Sequence, residues 1–351
     1  MKKKILAIAS FLAAMLLFAG CSGMSATAIT ANWHKDNSVE YDPAFYEQLT
    51  YNIEYSDDDA TSTIYQLKDF KGTYQVSIKE APDVTVPNMQ SPGFPGYKLE
   101  SIATLSGTYA EKNGSLEYSF ENDTIRSVVY FHRLGEGHTL EPVYSKTEYF
   151  VHAPYTASLN KMDIAISKYD VEIQYNEKCS KATLTKTDRS DEITETIPEE
   201  LSKNVHIEKA VNTEKTVSKL QKSYSYFDNA QLFFIARGIA FKENSSATVT
   251  SILGNTGGKA SVKFTCSEVS SHRYAFDMDG QNINTEISTA KVSMGLNAGN
   301  SSGGSSTLYF ATQTNSANYR NLLLQLEEPY SFGMGTLVYK LASVSTQNSD
   351  N

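Results

Sequence analysis

Three cysteines, one tryptophan and no apolar run long enough to cross a bilayer set the first limits on this chain. A spanning helix needs about 20 consecutive apolar residues, whereas the uncharged stretch from Ile5 to Phe18 covers 14. Three thiols allow one bridge at most, so this is not a disulfide-built scaffold. Arginine is scarce: Arg126, Arg133, Arg189, Arg237, Arg273 and Arg320 are all there are, and no basic stripe follows the N-terminus. A phosphate backbone is met with clustered Lys and Arg, so nucleic acid is not an expected partner. Catalytic signatures are missing too. There is no Gly-x-Ser-x-Gly elbow, and two Ser-x-x-Lys pairs, Ser158 with Lys161 and Ser288 with Lys291, lack a Lys-Thr-Gly partner. Such pairs arise by chance in a chain this rich in Ser and Lys. No enzyme activity and no cofactor are expected.

Metal motifs fail on spacing. His132, Glu136 and His138 in "HRLGEGH" match neither the i, i+4 spacing of a helix nor the i, i+2 spacing of a strand, and two glycines between the histidines make a turn. "DMDGQN" at 277–282 places Gly280 fourth and Ser288 twelfth, where a calcium loop needs Gly sixth and Glu twelfth. Asp279-Gly280 reads instead as a hairpin turn. The Asp57-Asp58-Asp59 run reads as the solvated end of a strand. No metal is expected.

What the chain does have begins at Lys2, Lys3 and Lys4, a basic n-region ahead of the apolar run. Ala19, Gly20 and Cys21 follow it. The order Leu17-Phe18-Ala19-Gly20-Cys21 resembles the lipobox of bacterial lipoproteins, with Phe18 where Leu is usual. That resemblance implies a signal peptide at 1–20 and diacylglycerol on the Cys21 thiol. It implies a mature protein anchored on the extracytoplasmic side of the cell membrane. Buried acyl chains at about 0.8 kcal/mol per CH₂ hold such a chain without a spanning helix. Loss of residues 1–20 removes three lysines and moves the formal charge from -9 to -12. Lysine far in excess of arginine, with abundant Asn and Tyr, points to an AT-rich, Gram-positive bacterial source. Cys179 and Cys266 remain, and an oxidising compartment permits a disulfide between them.

Period-2 alternation dominates the rest. Tyr169, Val171, Ile173 and Tyr175 face one way and Asp170, Glu172 and Gln174 the other, as a half-buried antiparallel strand requires. Ala260, Val262, Phe264 and Cys266 repeat the pattern, as do Tyr274, Phe276 and Met278, and Leu322, Leu324 and Leu326. Lys112-Asn113-Gly114, Asp279-Gly280 and Asn255 to Gly258 supply turns. The fold expected is mainly β: a curved antiparallel sheet or half-closed β-barrel with one or two short helices packed on it. Residues 21–48 read as a tether and a short helix at Pro43 to Leu49. Residues 49–344 read as one domain and 345–351 as a disordered tail. A proline-rich surface loop is expected at 83–96, a polar loop at 297–306, and a charged insertion at 186–222 that is either helical, with Pro198 at a first helical position, or a mobile connector. In "FDNAQLFFIARG", Asp228 caps a helix, Gln231 completes a capping box and Gly238 stops it. Leu232, Phe233, Ile235 and Ile239 form its apolar face. Sheet wrapped over that face makes these four the candidate lining of an apolar ligand pocket. A cavity of about 300 Å³ or more there suits ligand capture. A filled interior suits a structural or adhesive envelope protein.

The order "TYNIEY", "GTYQVSI", "YFHRLGEGHTLEPVYSKTEYFV", "FDNAQLFFIARGIAF" and "SFGMGTLVYKLASV" resembles an uncharacterised family of bacterial extracytoplasmic β-proteins, a domain of unknown function. Leu140-Glu141-Pro142 matches its "L-x-P" turn, and Asp228, Asn229, Gln231 and Leu232 match its "D-N-x-Q-L" segment. More distantly, sheet closed over a helix looks like the LolA and LppX type of lipid and lipoprotein carriers. The resemblance implies an unclosed barrel with an apolar interior and a lipid or lipopeptide ligand, and it carries over no site residues. The lipobox gives the first testable outcome. Cys21→Ser abolishes incorporation of a tagged fatty acid, and unchanged label on that variant contradicts the anchor.

Overall fold

The computed structural model describes residues 45–87, 93–133, 140–155, 161–178, 180–220, 226–253, 258–297, 305–312 and 321–346. Sixteen strands make one sheet. In chain order they are β1 (Tyr46–Ser56), β2 (Tyr65–Val84), β3 (Phe94–Glu111), β4 (Glu117–His132), β5 (Pro142–Pro154), β6 (Ile164–Tyr175), β7 (Lys181–Asp188) and β8 (Val205–Ile207). There follow β9 (Thr213–Ser218), β10 (Tyr226–Asp228), β11 (Ser246–Leu253), β12 (Gly258–Met278), β13 (Gln281–Asn297), β14 (Ser306–Ala311), β15 (Leu323–Tyr330) and β16 (Gly335–Ser345). The spatial order runs β10 to β16, then β1 to β7, then β9, so nearly every strand pairs antiparallel with its sequence neighbour. The signal region, Cys21, Trp33, Glu136, His138, Ser158 and Cys179 lie outside the described residues.

Alternation decides the local structure. Tyr169, Val171, Ile173 and Tyr175 all point into the core, as do Ala260, Val262, Phe264 and Cys266. Asp279 and Gly280 take φ of 51° and 79°, the two left-handed residues of the tight turn joining β12 to β13. The tip of that hairpin returns to β16. Asp277 and Met278 pair parallel with Ser343 and Val344, and the Asp279 carboxylate accepts from the Thr346 N–H at 2.8 Å and its hydroxyl at 2.7 Å. Strands β12 to β16 thereby close into a ring, while β1 to β9 form a curved wall beside it.

Two expectations are corrected. The helix read at Pro43 to Leu49 is strand from Tyr46 onward: Glu47, Leu49, Tyr51 and Ile53 occupy alternate buried positions. Backbone bonds to β2 and β16 on its two sides outweigh the weak preference of so short a run. The 186–222 insertion is not outside the sheet either. It supplies β8 and β9, which pair with β6 and β7, and the helical alternative at Pro198 comes to a single 3₁₀ turn, Glu199–Leu201.

Helix α1 (Leu232–Ala236) is one short turn and a half, and the expected capping box of Asp228 and Gln231 opens the 3₁₀ turn Asn229–Gln231 that leads into it. Phe234 anchors it, with ring centroids 5.9 Å from Tyr97 and 5.6 Å from Phe131. Arg237, just past α1, pins it to β1. Its guanidinium makes a bidentate pair with the buried Glu47 carboxylate, and its Nε donates to the Asn321 carbonyl at 3.0 Å. Asn321 returns a bond to the Arg237 carbonyl at 2.6 Å.

Of the two cysteines read as a possible disulfide, Cys179 lies outside the described residues. Cys266 is a free thiol buried in the core. The Glu47–Arg237 pair supplies the test of this packing. Glu47→Ala leaves a buried guanidinium unpaired and costs about 3–5 kcal/mol in denaturant unfolding, whereas Glu47→Leu with Arg237→Leu recovers most of that loss. Equal losses in both contradict the assignment.

Candidate functional site

The face of α1 singled out in the sequence lies against the sheet, and little space is left there. Leu232, Ile235 and Ile239 are buried in the main core, while Phe233 is half-buried. Between α1 and β1–β3 the gap is about 30 Å³, lined by Tyr51, Tyr74, Leu99, Phe233, Phe234 and Arg237 among others. That holds about one water molecule, not an acyl chain. Of the four, Phe233 lines this gap, and Leu232, Ile235 and Ile239 pack into the core.

A larger concavity, about 330 Å³, opens on the outer face of the same wall. Outward positions of four neighbouring strands build it: Gln75 and Ser77 from β2, Glu100 and Ile102 from β3, Arg126 and Val128 from β4, and Lys146 and Glu148 from β5. Register sets the juxtapositions. Arg126 stands opposite Ile102 on one side and Glu148 on the other. Short Ser77, Ile102 and Val128 lie between the long charged side chains, which leaves a trough with a partly apolar floor. Lys146 Nζ bonds Glu148 at 2.6 Å and reaches Asp170 at 3.5 Å. The hydrogen bond to Glu148 and these two charges hold Lys146 above its ordinary pKa. Ser127 and Thr147 share a hydroxyl bond of 3.0 Å. The exposed Arg126 guanidinium makes no ion pair among the described residues. Val128 also joins a small apolar cluster with Val86, Val143 and Tyr144, against which Phe94 and Tyr130 pack. The trough thus offers one free cation, a balanced pair, hydroxyls and an apolar end.

The motifs weighed in the sequence stay apart. Ser288 and Lys291 are three residues apart on β13 and so face opposite ways. Ser288 accepts from Thr312 at 3.0 Å, and Lys291 lies 5.9 Å over the Tyr309 ring. Asp277 takes the Gly280 N–H at 2.9 Å and Asp59 takes the Thr336 hydroxyl at 2.8 Å, so these carboxylates serve turns. Among the described residues no group of three His, Cys, Asp or Glu side chains is placed to hold a metal ion. Arg126 was missed in the sequence; its outward parity in "TIRSVVYFH" was a signal, but its neighbours come from strands far away in the chain.

This is a mainly β protein built as a curved, half-closed antiparallel sheet. No protein-family model matches the chain, and no curated protein does. Among solved structures, it is similar to a β-barrel-like protein of a domain of unknown function from Brucella abortus. The TM-score is 0.47 at 7% identity, over 87% of this chain and 98% of that one. The likeness is one of architecture.

On the inner face, Glu328 is buried with the Tyr339 hydroxyl 3.3 Å away. Burial pushes its pKa up to about 8. A carboxyl raised on folding binds its proton more tightly in the native state, so its contribution to stability is full below about pH 4.5 and lost as pH rises through 8. The unfolding free energy from urea titrations should fall across that window by an amount on the order of several kcal/mol. Glu328→Gln should flatten the curve, and an unchanged slope contradicts the burial.

Proposed function

We propose that this protein is a lipid-anchored extracytoplasmic binding module that holds its ligand on the outer face of β2–β5. The observation that supports this is the contrast in space: about 330 Å³ in the outer trough against about 30 Å³ beside α1. A volume of about 300 Å³ or more suits a small ligand. The anchor rests on the Leu17 to Cys21 sequence, which puts the domain on the outside of the membrane. Binding rather than catalysis fits a trough in which no nucleophile stands beside a base.

Its lining selects a polar, doubly charged ligand rather than a lipid. Arg126 is free to take a carboxylate, Glu100 and Glu148 face an ammonium, and Ile102 with Val128 accept a short apolar body. An apolar ligand held under α1, as in carriers of the LolA and LppX type, finds too little room there. The structural reading, an envelope β-protein without a small ligand, keeps one observation in its favour: the interior by α1 is packed.

The test uses the acylated protein in detergent and a short synthetic peptide carrying one ammonium and one carboxylate. Saturable binding should shift amides of Ser101, Ile102, Ser127 and Val128, and Arg126→Ala should weaken it at least about tenfold, the worth of roughly 1.4 kcal/mol. No saturable binding, or equal binding by the variant, leaves the structural reading in place.

A further inference from the structure

Away from the trough, a second polar cluster lies under an irregular strap. Asp123 of β4 and His152 of β5 are 2% and 1% exposed. One Asp123 oxygen meets His152 Nδ1, and the other accepts the His152 backbone N–H at 2.9 Å. The imidazole is therefore fixed in the plane that its strand and its carboxylate dictate. Rings close around it: Phe150 at 5.3 Å, Tyr118 at 5.6 Å and Phe120 at 6.0 Å between centroids. The Tyr109 hydroxyl donates to the His152 carbonyl at 2.9 Å.

What remains is His152 Nε2, and it points at a carboxylate that comes from elsewhere. Glu195 Oε2 lies 2.8 Å from Nε2, and the Tyr118 hydroxyl donates to Glu195 Oε1 at 2.6 Å. Two donors, one for each carboxylate oxygen, are the fork that recognises a carboxylate. Both stand on sheet strands and keep their places whatever Glu195 does. Glu195 belongs to the connector between the 3₁₀ turns Ser190–Glu192 and Glu199–Leu201, where the backbone has no regular structure. Its side chain is one-third exposed. Flanking Ile193 and Ile197 rest only partly buried on the core, and the strap's near end is tied by Lys168–Glu192 at 2.9 Å and Arg189–Asp170 at 3.2 Å. Such exposed ties are each worth little.

We propose that Tyr118 and His152, oriented by Asp123, form a carboxylate-binding clamp that Glu195 occupies in cis, and that this site takes a small carboxylic acid when the strap lifts. The small size follows from the geometry. Phe150, Tyr118 and Phe120 crowd His152, and the two donors are met by the two oxygens of a single carboxylate. Protonation supports the same picture. Burial pulls the His152 pKa down, but the Asp123 hydrogen bond and the charges of Asp123 and Glu195 outweigh it, so the pKa stands above its ordinary value. Asp123 is itself raised by burial, and Tyr118 by burial and its bond to Glu195. Below its raised pKa His152 donates from both nitrogens. As pH rises through its raised pKa the ring keeps one proton, and the buried Asp123 retains it. Glu195 then loses a donor and the strap loosens.

Glu195→Ala vacates the clamp, and its side chain is exposed enough for the fold to survive the change. Thermal midpoints are read for the full chain in acetate against equal ionic strength of chloride. The variant should melt lower than wild type and recover with acetate in a saturable way. Wild type should need far more acetate, because a tethered competitor acts at an effective concentration of about millimolar or above. Glu195→Ala with His152→Gln should show no saturable recovery. In Glu195→Gln, amide exchange across 193–197 should rise when acetate is added, which gives a readout independent of the melting curve. No acetate-dependent shift in Glu195→Ala, or the same shift in wild type, overturns the clamp. Recovery at a lower concentration of a capped aspartyl peptide than of acetate overturns the assignment to a small acid.

Discussion

A sheet that curls back on itself must fill its own inside, and here much of the filling is tyrosine. Tyr51, Tyr65, Tyr97, Tyr109, Tyr169, Tyr226 and Tyr339 are among the largest fully buried side chains. Each brings a large apolar ring and a hydroxyl that cannot be left in the core without a partner except at a cost of about 1–3 kcal/mol. That requirement organises the interior. Tyr51 reaches the Leu323 carbonyl at 2.8 Å, Tyr65 the Asp163 carbonyl at 3.1 Å, and Tyr109 both the His152 carbonyl and the Tyr330 hydroxyl. These bonds join strands far apart in the chain across the inner space. They hold the curvature. Tyr169 differs: its hydroxyl finds no partner among the described residues, and its ring instead stacks on Tyr149 at 4.6 Å and carries the Lys186 ammonium at 4.0 Å.

Under the proposed function, the same constraint leaves the outer face to a ligand. An inner face spent on tyrosine rings, on α1 and on the Glu47–Arg237 pair leaves a gap of water size. The outer face has no such duty. On β2 to β5 its side chains alternate between short and long, and the trough follows from that alternation together with the register. The His152 clamp sits at another point where the two demands meet, a sheet-held pair of donors covered by a segment that is not sheet.

Sequence alternation made the strands legible because one face of the sheet is buried and the other wet. β6 and the first half of β12 read straight from their apolar parity, and Asp279-Gly280 from its tolerance of positive φ. The capping box of Asp228 and Gln231 was equally local. β1 was misread at its start because Glu47 breaks the apolar alternation. Only Arg237, 190 residues away, explains a buried carboxylate there. The 186–222 segment misled for the opposite reason: its charges mark an edge strand and a strap, not an insertion. Neither candidate site could be read locally. The trough needs the register of four strands, and the clamp joins Tyr118, His152 and Glu195 across 77 and 43 residues of chain.

The central claim is that the inside is structure and the outside is function. Native mass spectrometry of the protein purified from its native host tests it most directly. A species at the mass of the covalent chain alone, with no stoichiometric non-covalent lipid, is the result this account requires. A lipid or other long apolar molecule retained at one equivalent, and released only on unfolding, would contradict it.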